Sequence, residues 1–167
     1  MGAGINYTYF PSDRMYLKIG GGVAHVNQPT EKFLTTGKNT VGFRPSVNVD
    51  GIFQTNKILS INPSFYYTYQ SGANQIVVGS LFLLTAKEDE NGKTKVILGA
   101  FERLNDAFIG AAGLEWGTMR MMASYDYTTS SLTPYNHGYG AFEISLIYQN
   151  KYSKGKSYYN KMNCPRF

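Results

Sequence analysis

The sequence predicts an all-β fold, an antiparallel transmembrane β-barrel with about nine strands in this chain. Three observations carry that prediction. Apolar and polar residues alternate with a period of two through stretches of about ten residues, the length of a tilted strand crossing a bilayer. Glycine reaches 18 and tyrosine 14 of 167 residues, a composition of strands and turns rather than helices. A mean hydropathy of -0.29 excludes a polytopic helical membrane protein, and no run of roughly 18 apolar residues supplies one spanning helix.

The first strand runs near Ala3–Phe10, turns at PSDR and returns as a second near Tyr16–Val26. A longer loop, NQPTEKFLTTGKN, follows. The third strand, near Val41–Gln54, alternates most cleanly, with Val41, Phe43, Pro45, Val47, Val49 and Phe53 set against Gly42, Arg44, Ser46, Asn48, Asp50 and Gln54. The fourth, Leu59–Gln70, sets Leu59, Ile61, Pro63, Phe65, Tyr67 and Tyr69 against Ser60, Asn62, Ser64, Tyr66, Thr68 and Gln70. After SGAN comes a fifth near Gln75–Leu84, then AKEDENGKT, read as a solvated charged turn. The sixth (near Val96–Arg103) and seventh (near Ala107–Trp116) are joined by LND, and a turn at Gly117 leads into the eighth. There Met119, Met121, Ala123, Tyr125 and Tyr127 oppose Arg120, Met122, Ser124, Asp126 and Thr128. The ninth is GAFEISLIYQ, Gly140–Gln149, with Phe142, Ile144, Leu146 and Tyr148 on one side and Glu143 on the other.

A soluble sandwich or lipocalin-like barrel would turn its polar face to bulk water and carry lysines and glutamates there. Here that face reads Ser, Asn, Thr, Gly and Tyr with isolated charges, and lysine is nearly absent from the strand interiors. The apolar face places Tyr67, Tyr69, Trp116, Tyr125, Tyr127 and Tyr148 near strand ends, as the interfacial girdles of membrane barrels do. Closure into a barrel also removes the exposed edges of so many hairpins.

The net charge of +5 and pI near 9.2 would fit a nucleic-acid partner at first sight. Much of the excess sits in the tail, at Lys151, Lys154, Lys156, Lys161 and Arg166, so no nucleic acid is expected. The chain divides into a barrel part, 1–150, and a basic tail, 151–167, ending in CPRF. Two fates for the tail stay open: a disordered basic segment near anionic head groups, or a plug in which Cys164, Pro165, Arg166 and Phe167 tuck into the barrel mouth. The lone Cys164 forms no internal disulfide and lacks the context for lipid attachment. The start MGAGINYTYF has no basic region followed by a long apolar one, and Met1 enters a strand almost at once. Bacterial barrels usually have an even strand count, so further strands are expected before Met1.

The residues expected to face the lumen with charge are Arg44, Asp50, Arg103, Asp106, Arg120, Asp126 and Glu143. A lone charge in a confined site costs several kcal/mol, so these are expected to pair, Glu143 with Arg103, Arg120 or Arg44. Such a network rigidifies the wall unless it forms a gate or cargo surface. No catalytic, cofactor or metal constellation is expected. His25 reads as a rim residue, and His137, beside Ser130, Ser131 and Asn136, has nothing to orient it as a base. The glycines at Gly20–Gly22 read as close strand packing or a bend in the wall rather than a phosphate loop. Met119, Met121 and Met122 read as lipid-facing or lumen-filling.

Several ordered motifs go further. LGAFERLNDAFIGAAGLEW, SYDYTTSSLTPYNHGYGAFEISLIY and CPRF, with FRPSVNVDG and PSFYYTYQSGANQIVVGSLF upstream, resemble the PorP/SprF family of type IX secretion and gliding-motility systems. The resemblance covers most of the chain. It implies an outer-membrane barrel of about 14 strands in a Gram-negative bacterium, of which this chain is the C-terminal part. It also implies a non-enzymatic role and three partners: outer-membrane lipid, a cognate secreted adhesin or its C-terminal domain, and the periplasmic secretion ring. Assistance to export or surface attachment of the adhesin, or anchorage of the ring, would be the function. A porin-like channel for small solutes is the alternative. A chain ending in the periplasm would make the 129–138 loop extracellular and the 86–93 loop periplasmic.

Overall fold

Alternating side chains commit each strand to one face toward shelter and one toward a greasy exterior, and neighbours in sequence pair through short turns. The computed structural model describes residues 1–31, 39–89 and 92–149. Nine long strands form one antiparallel sheet: β1 (Ala3–Ser12), β2 (Met15–Ala24), β5 (Arg44–Gln54), β6 (Leu59–Gln70), β7 (Ala73–Asp89), β8 (Gly92–Arg103), β9 (Ala107–Trp116), β10 (Met119–Thr128) and β11 (Tyr139–Tyr148). They lie side by side in chain order, with β1 and β11 at the two open edges. Two short strands, β3 (Thr30–Glu31) and β4 (Asn39–Thr40), pair within the long loop, and a one-turn helix, α1 (Thr133–Asn136), lies before β11. No helix is long and apolar enough to cross a membrane among the described residues.

The sheet is all-β and antiparallel as the sequence predicts, a piece of barrel wall that is not closed on itself. One face is sheltered and the other open. Along β9, Ala107 and Glu115 are buried while Phe108, Leu114 and Trp116 are exposed, a difference that a coiled sheet with a concave inner face produces. The outer face carries Ile5, Val47, Phe82, Leu98, Leu114 and Ile144, each more than a third exposed, together with the girdle tyrosines Tyr69, Tyr125, Tyr127 and Tyr148. An apolar surface this continuous does not face water in a soluble protein.

The turns follow from their residues. Ser71 (φ 50°) and Gly72 (φ 88°) both adopt the left-handed region that a two-residue hairpin turn requires, and only a glycine does so without strain. Asn105 (φ 61°) supplies the same conformation in the turn joining β8 and β9. Gly20, in the middle of β2, is a close-approach glycine: a Cβ there would overlap the side-chain oxygens of Asn6 and Asn48, which reach toward each other across the strand from β1 and β5.

Two boundaries differ from the sequence reading. The charged stretch after Leu84 is not a loop: β7 continues to Asp89 and pairs with β8 from Gly92, through a bulge between Thr85 and Lys87. The partners β6 and β9 stop at Leu84 and Thr94, so the tip is a two-stranded ribbon projecting past the wall. Pairing in the ribbon needs no apolar face, which is why alternation did not announce it. The third strand starts at Arg44 rather than Val41.

Candidate functional site

Register decides which charges can meet. On β8, β9 and β10, Lys95, Glu115 and Arg120 stand directly opposite one another on the inner face. Glu115 accepts from Lys95 Nζ at 2.7 Å through Oε1 and from Arg120 Nε at 2.9 Å through Oε2, and Arg120 Nη2 reaches the same Oε2. The Glu115 side chain is 9% exposed, so this cation–anion–cation row is sheltered from water.

At the other end of the same strands the signs invert. Arg103 donates to Asp106 Oδ2 at 3.1 Å and to Asp126 Oδ2 at 2.8 Å, one cation between two carboxylates. Asp106 belongs to the hairpin turn at the rim, whereas Asp126 is an inner-face residue of β10. The Asp106 carbonyl also accepts from the backbone of Thr129 and Ser130. Asn136 donates to Thr128 Oγ1 at 3.0 Å, and Thr133 Oγ1 donates to the Thr128 carbonyl at 3.1 Å, so the 129–138 loop is pinned onto this rim.

Between the two charge rows the inner face is apolar. Ile97 is fully buried and Leu83 is 5% exposed, and Leu81, Phe101, Ile109 and Met122 share that face. An inner face of small polar residues, expected from the sequence, holds on β5 and β6 but not on β7 to β9. IVVGSLFLL and VILGAF are apolar on both faces, so a period of two cannot say which side is which.

The remaining predicted residues lie elsewhere. Arg44 donates to Thr68 Oγ1 at 3.3 Å and Tyr66 Oη at 3.4 Å, both neutral groups, and Asp50 sits across from Lys18 in the β2–β5 register. The expected pairing of Glu143 is corrected. It does face inward, opposite Ser124, but it makes no ion pair or hydrogen bond among the described residues. Arg120 is opposite Ile147 and Arg103 is level with Thr128, each four residues along the wall, about 13 Å from the Glu143 position. Glu143 instead lines a groove of about 270 Å³ with Leu81, Phe101, Ile109, Met122 and Ser124.

Three inward charges escaped the sequence reading: Lys18, Lys95 and Glu115. Lys18 is 7% exposed, contrary to the expectation that lysine is nearly absent from strand interiors. Glu115 was legible, because an outward Trp116 puts its predecessor inward. The tail residues Cys164, Pro165, Arg166 and Phe167 lie outside the described residues. His137 ends α1 in the left-handed conformation (φ 54°), a turn role, and no group of His, Cys, Asp and Glu suited to a metal occurs among the described residues.

No curated protein and no solved structure matches the chain. A family model does. Residues 1–148 match the model described as type IX secretion system membrane protein PorP/SprF, nearly the whole of the described wall. The chain belongs to the PorP/SprF family of type IX secretion system membrane proteins.

Proposed function

We propose that the chain is a non-enzymatic part of an outer-membrane barrel in a Gram-negative bacterium, and that its work is protein recognition: assisting export or surface attachment of a cognate adhesin through that adhesin's C-terminal domain. The observation that carries this reading is the inner face of β7 to β10. A general diffusion porin needs a wide lumen lined by hydrated polar groups. This wall instead offers a band of Leu81, Leu83, Ile97, Phe101 and Ile109 between two rows of charges that neutralise one another.

Contacts outside the bilayer supply the alternative use. The β2–β5 and β10–β11 loops leave the same end of the sheet, where Val26, Leu132, Tyr135 and Tyr139 are 54%, 58%, 84% and 73% exposed. Large apolar and aromatic residues on a pinned loop are recognition material. Deletion of the gene should abolish display of one large surface protein while uptake of sugars and ions stays normal. Porin-like conductance in planar bilayers, with surface display unchanged in the deletion strain, would overturn the reading.

The projecting β7–β8 ribbon favours a second reading, anchorage of the periplasmic secretion ring. It leaves the opposite end of the sheet from the pinned loop, and β11 also ends there, at Tyr148. Cysteines placed singly at Tyr135 and at Lys87 should separate in intact cells, Tyr135 reacting with a membrane-impermeant maleimide and Lys87 only after the outer membrane is opened. Reaction at the position of Lys87 in sealed cells would reverse the orientation. If shortening the ribbon releases the ring while the adhesin is still displayed, anchorage is the function.

A further inference from the structure

We infer that Arg44, at the start of β5, is a binding site on the inner face of the wall for a carboxylate carried by a polypeptide. The anion site stands on its own geometry, and only the ligand's source, a secreted polypeptide, rests on the proposed role in recognition.

Arg44 differs from Lys95, Arg103 and Arg120. Lys95 and Arg120 share Glu115, and Arg103 holds Asp106 and Asp126. Arg44 instead donates from Nε to Thr68 Oγ1 at 3.3 Å and from Nη2 to Tyr66 Oη at 3.4 Å, and no carboxylate touches it among the described residues. Thr68 is 5% exposed and donates its own proton to the Pro45 carbonyl at 2.8 Å, so toward Arg44 it is a fixed acceptor. These contacts orient the guanidinium without neutralising it. Nη1 makes no hydrogen bond among the described residues, and Arg44 is half-buried rather than enclosed. The Nη1–Nη2 edge, the fork that a carboxylate grips through both oxygens, is therefore open to a ligand.

The wall beside Arg44 leaves room for a chain. On β2, Ala24 stands opposite Arg44 and Gly22 opposite Ser46, and Gly4 of β1 stands opposite Gly22, so no long side chain rises from that stretch of the inner face. A ligand's backbone can lie close against such a floor. The charge of the ligand follows from the site. One guanidinium oriented by neutral hydroxyls matches a singly charged, planar carboxylate, whereas a phosphate carrying up to two charges calls for a second cation, and none stands beside Arg44 in the β2 and β6 registers. The β2–β5 loop and the 129–138 loop leave the same end of the sheet, and Arg44 lies just inside that end. A polypeptide held by those loops meets this cation on entering the inner face.

The test uses the full-length protein in non-ionic detergent, its folding checked by heat-modifiable gel mobility. The probe is a short dansyl-labelled peptide of glycine, serine and asparagine in three forms: amidated and neutral, with a free C-terminal carboxylate, and amidated with aspartate in place of asparagine. Fluorescence anisotropy should show both acidic forms binding roughly ten-fold tighter than the neutral one, with acetate competing. Arg44→Gln should erase that preference, and Arg44→Lys should keep only part of it, because an ammonium cannot form the fork. Tyr66→Phe keeps the cation but removes one of its two anchors, and should weaken the acidic forms about three-fold. Tighter binding of the free C-terminus assigns the ligand to a chain end, and tighter binding of the aspartate form assigns it to a side chain; either supports the site. Because binding is read on the purified protein, normal adhesin display in a deletion strain would remove the proposed role and leave this site standing. Equal binding of neutral and acidic peptides, or an unchanged preference in Arg44→Gln, would overturn the site. Should Arg44→Gln not fold, an unchanged preference in Tyr66→Phe overturns the oriented fork. Displacement by inorganic phosphate at a concentration where acetate does nothing would overturn the assignment to a carboxylate.

Discussion

Replacing Glu115 by Leu should destabilise the wall by about 3–5 kcal/mol, the cost of leaving charges in a confined site after removing their partner. The geometry sets the sign. Lys95 and Arg120 approach one carboxylate from the two neighbouring strands, and their side chains are 22% and 19% exposed. Without Glu115 two like charges face each other across β9 with little water to separate them. The same substitution at an exposed surface pair would cost less than about 1 kcal/mol. The measurement is thermal unfolding of the detergent-solubilised protein, followed by loss of heat-modifiable mobility. Glu115→Gln should fall between, because the amide still accepts one hydrogen bond. Adding Lys95→Met and Arg120→Met to Glu115→Leu should restore most of the loss, since well-packed apolar groups substitute for an ion-paired set. Unfolding of Glu115→Leu at the wild-type temperature would mean that this row is hydrated and contributes nothing.

That row also marks the limit of what was legible in the sequence. Strands β5, β6, β10 and β11 were readable because one face is apolar and the other polar, as in Val47 against Asn48 or Leu146 against Ser145. In β7 and β8 both faces are apolar, and only register distinguishes Ile97, fully buried, from Leu98, 48% exposed. Lysine was misjudged on physical grounds. Its long stem lies along an apolar wall while its amine reaches a carboxylate, as Lys95 does with Glu115, so an inward lysine is compatible with a sheltered face. The pairing of Glu143 failed for another reason. Alternation gives the face of a residue but not its height, and Glu143 is level with Ser124 rather than with an arginine. The strand count and the hairpin order needed only local turn signals, and these came through intact.

The second large effect is expected on the opposite face. Leu98 lies at mid-strand on the outside of β8, between Phe82 of β7 and Ala112 of β9, and is 48% exposed. In water, an arginine at a half-exposed strand position extends into solvent at little cost. Facing hydrocarbon, the same side chain costs about 2–4 kcal/mol near the bilayer midplane, falling to about 0–1 near the interfaces. Glu102, on the same face of the same strand but close to the rim, provides the internal control. Leu98→Arg should therefore sharply reduce the folded, membrane-assembled fraction, whereas Glu102→Arg should assemble almost as the wild type does. Leu98→Ala separates the loss of the leucine from the gain of charge, because it removes apolar area without bringing an ion into the lipid. Folded protein in isolated membranes, scored by heat-modifiable mobility and protease resistance, reads the difference. If Leu98→Arg and Glu102→Arg assemble equally well, the outer face does not meet hydrocarbon, and the exposed band of Phe82, Leu98 and Leu114 must be covered by protein instead.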